Sequence, residues 1–138
     1  MRLLKSVVLA VTVLTASSAC TALDSIASGN RVTGTYSLYR VNGYSLPTTI
    51  YQEPGYRVEV LNAAFTLETD GTFSEAGIVR ETYNGQSTTR SSSSYGYYDN
   101  YNGELTFDDN SGRRYYGNSD GNTLVIDDRG IQMTYRRN

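Results

Sequence analysis

The chain has no histidine, no tryptophan, one cysteine and two prolines among 138 residues, and its only lysine is Lys5. Without histidine, most general-base and triad schemes lack their base. Without lysine beyond the leader, no amine remains for Schiff-base chemistry. A single cysteine rules out an intramolecular disulfide. Neither Gly-x-Ser-x-Gly nor a Gly-rich phosphate loop occurs. Two prolines exclude a Pro-rich stalk. No apolar run reaches the ~20 residues of a spanning helix. These absences argue against an enzyme and against a cofactor.

What is present begins with a leader. In MRLLKSVVLAVTVLTASSAC, Arg2 and Lys5 precede an apolar run, Val7 to Leu14, and then small residues. This is the layout of a secretory signal. Ser17-Ser18-Ala19-Cys20 resembles the lipobox of bacterial lipoproteins, with Ser17 where leucine is usual. The resemblance implies cleavage before Cys20 and lipidation of its thiol. The alternatives are ordinary cleavage after Ala19 or Ala22, or an odd cysteine awaiting an intermolecular partner. Thr21 stands where aspartate would retain a lipoprotein in the inner membrane, so a Gram-negative cell would send it to the outer one. The expected organisation is a signal over 1–19, a tether over 20–32 and one domain over 33–138.

With Arg2 and Lys5 removed, ten arginines face fourteen acids, a net charge of −4. A mildly acidic surface argues against nucleic acid as partner. Membrane contact is expected through the lipid alone, and the domain is expected to be a monomer.

The C-terminal third carries a repeat. Gly103, Gly112, Gly121 and Gly130 recur at every ninth position, each in a turn-type dipeptide. Asn-Gly and Asp-Gly suit the positive φ angles of tight hairpins. The runs between them, Glu104–Phe107, Arg113–Gly117, Thr123–Asp127 and Ile131–Tyr135, alternate apolar and polar. Ile131, Met133 and Tyr135 oppose Gln132, Thr134 and Arg136. Period two with one apolar face predicts a sheet packed on one side.

Upstream, Gly34–Arg40, Ser45–Tyr51, Thr72–Tyr83 and Gln86–Tyr98 read as strands. Between Tyr56–Leu61 and Ala63–Thr69 the phase changes. Val58 and Val60 cannot share a face with Phe65 and Leu67 unless a bulge or turn intervenes near Asn62-Ala63. The expected fold is all-β, an antiparallel meander closing into a barrel of about eight strands. An open two-sheet sandwich is the alternative, and a signal helix is expected at the N-terminus.

The segments GTYSLYRVNGYSLP, LETDGTFS, YNGELTFDD, GNTLVIDD and MTYRR resemble the small lipocalin-like domains of bacterial lipoproteins. The resemblance implies a barrel able to hold a small hydrophobic or amphipathic ligand. It also implies a floor in which an arginine near the last strand packs on an aromatic of the first. Here those residues are Gly34, Tyr36 and Arg136, or Arg137 in its place, with Tyr36 standing where tryptophan is usual.

Candidate chemistry is sparse. Glu75 and Glu81 share a face if their strand is regular, an acid pair for glycosidase-like work. The favoured reading is instead a bulge at Ala76-Gly77 that turns one acid out, or pairing with Arg80 or Arg90 at a rim. Asp108-Asp109-Asn110 and Asn118–Gly121 offer oxygens to a metal but look like hairpin turns, and no metal is expected. Tyr83, Tyr95 and Tyr97 are the candidate ligand-binding residues. The alternative puts Tyr95 and Tyr97 inward, as core of a long strand with Ser91–Ser94. The functional expectation is a non-enzymatic, lipid-anchored envelope barrel. The alternative is a filled barrel that contacts envelope proteins or polysaccharide through tyrosines.

Overall fold

The computed structural model describes residues 31–138, so the leader, Cys20 and most of the tether lie outside the described residues. Ten strands follow: β1 Gly34–Val41, β2 Tyr44–Ser45, β3 Thr48–Glu53, β4 Tyr56–Leu67, β5 Thr72–Tyr83, β6 Gln86–Tyr101, β7 Glu104–Asp109, β8 Arg114–Ser119, β9 Thr123–Asp128 and β10 Ile131–Arg137. Among the described residues there is no helix.

Neighbours run β1-β10-β9-β8-β7-β6-β5-β4, and β4 returns to β1, closing an eight-stranded antiparallel barrel. The turn chemistry explains the order. Asn42-Gly43, Asn84-Gly85, Asn102-Gly103 and Arg129-Gly130 all take positive φ at both positions, as two-residue hairpins matching strand twist require. The phase change upstream is a bulge inside one strand, between Val60 and Asn62 of β4. It lets Val60 and Phe65 face the same interior.

Closure is partial along the axis. β1 meets β4 only over Gly34–Ser37 against Leu67–Ala64. Beyond that the two strands diverge, β2 and β3 cover the gap, and β3 pairs with the outer part of β4. The segment read as one strand, Ser45–Tyr51, is thus two. β4, β5 and β6 run past the barrel rim and form a flap with β3. In this flap, Gln86–Ser93 of β6 pairs with β5 on one side and, among the described residues, with nothing on the other.

The interior at the N-terminal end is filled. Phe65, Phe73, Phe107, Tyr115 and Tyr135 pack with ring centroids 5.1–6.1 Å apart. Phe65, Phe107, Leu124, Ile126 and Tyr135 are fully buried. Edge-to-face and offset geometry contributes ~1 kcal/mol per aromatic pair beyond area burial. Gly117 makes room for this cluster, because a Cβ there would stand 3.2 Å from the Phe107 ring and 2.5 Å from the Val125 carbonyl oxygen.

Candidate functional site

The barrel floor is built by Arg137. β10 alternates, so Ile131, Met133, Tyr135 and Arg137 point inward and Arg136 points out. The Arg137 guanidinium lies 5.0 Å from the Tyr36 ring centroid and donates to Tyr36 Oη at 2.8 Å and to the Thr33 carbonyl at 2.7 Å. It also donates to the carbonyls of Gly121 and Arg31. Tyr36 Oη in turn donates to the Val32 carbonyl at 2.5 Å. Gly34 has φ +141°, and a Cβ there would meet Arg137 Nη1 at 2.5 Å.

Arg137, not Arg136, therefore holds the floor. Arg136 stacks on the outside, 3.6 Å from the Tyr39 centroid. Val32, placed by the sequence in the tether, is buried beneath the floor.

At the opposite end the barrel opens into a cavity of ≈ 260 Å³, lined by Val41, Ile50, Val60, Ile131 and Met133 with Glu75, Asp128 and Ser92. β5 and β6 keep an unbroken register here, so there is no bulge at Ala76-Gly77 and Glu75 stays on the inner face. Glu75 accepts a hydrogen bond from Tyr135 Oη at 2.6 Å, its only protein partner among the described residues. Burial pushes its carboxyl above the usual carboxylate range, and the Tyr135 bond and the charge of Arg113 only partly offset this. Close by, Ser94 Oγ and Tyr115 Oη are buried as neighbours, without a hydrogen bond of good geometry. Burial and the charge of Glu75 push the Tyr115 hydroxyl upward, and nearby Ser94 softens this.

One side of this mouth is braced. Asp109 is 1% exposed in its side chain and meets Arg113 at 2.7 Å. It also accepts from the Ser111 hydroxyl at 2.6 Å and from the Ser111 and Arg113 backbone N–H groups at 2.9 Å. Burial alone would raise this carboxyl, but those bonds together hold it well below the usual range. Arg113 continues to Asp128 on the cavity wall at 3.1 Å.

The other candidates are dispersed. Glu81 lies six residues beyond Glu75 on β5, about 20 Å away, and pairs with Arg90 at 2.9 Å. A glycosidase pair needs ~5–9.5 Å, so these two acids form none. Asp108 turns outward to Arg114 while Asp109 turns inward, and Asp120 accepts from the N–H groups of Asn122 and Thr123 in its own turn. Among the described residues, no group of three or more acids, histidines or cysteines is placed to hold a metal.

The candidate tyrosines do not meet in the cavity. Tyr83 sits at the flap tip beside Tyr56, 65% exposed. Tyr95 and Tyr97 lie on the barrel's outer wall rather than in the core, because Gly96 between them pairs with inward-facing Phe73. They line an outer groove of ≈ 340 Å³ with Thr72, Asp108 and Asn110.

No protein-family model matches the chain, and no curated protein matches it. Among solved structures, the chain is similar to the Cpx pathway activator NlpE from Escherichia coli. Identity is 26%, the match covers 59% of this chain and 40% of NlpE, and the TM-score is 0.35. The chain thus spans well under half the length of that protein, and the fold and site stand on its own residues.

Proposed function

We propose that this barrel binds one small amphipathic molecule in its mouth, in a protein exported to the bacterial envelope and held there by lipid on Cys20. The observation that carries the reading is the ≈ 260 Å³ cavity with apolar walls and the Glu75 carboxyl facing it. Ligand pockets pair an apolar lining with a few convergent polar groups, and commonly start near ~300 Å³. A dry cavity of ~150 Å³ already takes benzene. The occupant is therefore small, with an apolar body and one group that hydrogen-bonds to Glu75. The lipocalin-like character of the sequence is supported by the floor of Gly34, Tyr36 and Arg137. A binding role without chemistry is supported by the pairing of Asp128, the second acid on the cavity wall, with Arg113, and by the lack of histidine and lysine in the domain.

The test is an NMR titration with hexanol and hexylamine. Saturable shifts should cluster at Val41, Val60 and Met133, and Met133→Trp should weaken them about tenfold or more by filling the cavity. Shifts that do not saturate, or that Met133→Trp leaves unchanged, would overturn the reading.

A second reading has its own observation. Tyr95 and Tyr97 are 62% and 71% exposed and flank the outer groove, a platform suited to envelope polysaccharide or a protein surface. Loss of polysaccharide retention in Tyr97→Ala, with cavity binding intact, would favour it.

A further inference from the structure

The serine-rich stretch Ser87–Ser93 plays no part in the cavity apart from Ser92. It is the open edge of the flap, and its chemistry is specific. Asn84-Gly85 is a two-residue turn, so Tyr83 and Gln86 exchange hydrogen bonds with each other. Alternation then directs the backbone N–H and C=O of Thr88, Arg90 and Ser92 toward β5. Those of Ser87, Thr89, Ser91 and Ser93 point away from it. Tyr95 continues the second set, and its carbonyl accepts from the Asn110 N–H at 2.8 Å where β7 begins to cover the strand. Four residues thus hold free edge donors and acceptors in a row.

Sheet edges are usually blunted by proline, bulges or charge. The flap's other edge, β3, has all three: Pro47 just before it, a bulge between Thr49 and Tyr51, and Glu53. The β6 edge has no proline and no bulge, and its one charge, Arg90, is tied to Glu81 at 2.9 Å.

We propose that this edge pairs antiparallel with the same edge of a second copy, with Thr89 on the two-fold axis. In that register Ser87 faces Ser91 of the second copy, Thr89 faces Thr89, and each Arg90 faces a Thr88. No like charges oppose each other, and the serine and threonine hydroxyls form a cross-strand ladder. A shift that sets Thr89 opposite Ser91 would bring Arg90 against Arg90, which disfavours it. The pairing joins two flaps into one continuous eight-stranded sheet and places the barrels at opposite ends. The sequence led to the expectation of a monomer; the flap edge argues for a dimer instead.

Sedimentation velocity on the purified protein should give a concentration-dependent dimer. Thr89→Pro removes an N–H that β5 does not use and should weaken the dimer about tenfold or more while the monomer stays folded. With Cys20 replaced by serine, Thr89→Cys should cross-link on oxidation. Facing Cα atoms in a hydrogen-bonded antiparallel pair lie ~5.5 Å apart, within disulfide reach. Ser93→Cys should not cross-link, since in this register its mate is about 26 Å away. A monomer throughout the micromolar range, a dimer that survives Thr89→Pro, or equal cross-linking at both positions would overturn the proposal. So would protection of the Thr89 and Ser91 amides in a complex that contains one copy and a different protein.

Discussion

At the scale of single residues, the floor depends on one hydrogen atom at position 34. Gly34→Ala places a methyl against Arg137 Nη1 at a backbone angle that side chains avoid. Denaturant melts should register a loss of about 2 kcal/mol or more. Arg137→Ala should cost about 3 kcal/mol, because several backbone carbonyls lose their donor at once. Arg136→Ala should stay within about 1 kcal/mol, the range of an exposed cation–π contact. This contrast was legible in the sequence. The alternation of Ile131, Met133 and Tyr135 already sets Arg137 inward and Arg136 outward, and counting two residues on from Tyr135 selects the right arginine. The direction of Tyr95 and Tyr97 was not legible, because it depends on which residue of β6 meets Phe73. Glu75 was legible as an inward acid, but its neighbours were not: the flap carries Glu81 out to Arg90, and β9 brings Asp128 to the cavity wall instead.

Half-buried Glu75 and buried Asp109 pull the pH dependence in opposite directions. The folded Glu75 holds its proton to higher pH than its unfolded value of 4.5. Native protein therefore binds more protons than unfolded protein above pH 4.5, and this contribution to stability declines as pH rises through the window up to the folded value. Glu75→Gln should gain on wild type as pH climbs from 4 to neutrality. Asp109 runs the other way, with a folded value held below 3.8. Its stabilisation is present above pH 3.8 and is lost as pH falls toward the folded value. Asp109→Asn should lower stability at neutral pH by about 2 kcal/mol and flatten the wild-type loss on acidification. Tyr115→Phe should stay within about 1 kcal/mol of wild type, since it deletes a buried hydroxyl that makes no hydrogen bond of good geometry.

At the scale of elements, β6 joins two environments. Its C-terminal half is barrel wall and its N-terminal half is an edge, and Gly96 sits near the junction. A Cβ at Gly96 would come within 2.1 Å of the Asp108 carbonyl oxygen and 2.8 Å of Asp109 Cα. Backbone cannot yield as a side chain does, so Gly96→Ala should separate β6 from β7 locally. Hydrogen exchange should report faster opening at Thr106 and Asp108, whose N–H groups face β6, and melts a loss of about 3 kcal/mol. Unchanged exchange in β7 would contradict this packing. The turn dipeptides, strand alternation and β4 bulge could all be read from local sequence. The return of β4 to β1 could not, because no local signal encodes a contact between Gly34 and Leu67. The flap was half visible: the sequence marks β5 and β6 as long and β7 to β10 as short, and that mismatch is what leaves β6 uncovered.

At the scale of the whole molecule, the barrel is asymmetric along its axis. One end is sealed by Arg137 and packed with rings, and the chain enters there from the tether. The other end carries the cavity, the braced Asp109–Arg113–Asp128 wall and the flap. Arg31, the first described residue, lies at the sealed end, where its carbonyl accepts from Arg137. The packed end carries most of the buried core, and the cavity lies at the other end. The most direct test is native mass spectrometry of the chain purified gently from its host's envelope, beside Met133→Trp prepared in the same way. A reproducible extra mass on the wild type, lost on denaturation and absent from the variant, is the predicted result. A bare protein mass for the wild type in repeated preparations would contradict a ligand in the mouth and leave the tyrosine-bearing outer wall as the working surface.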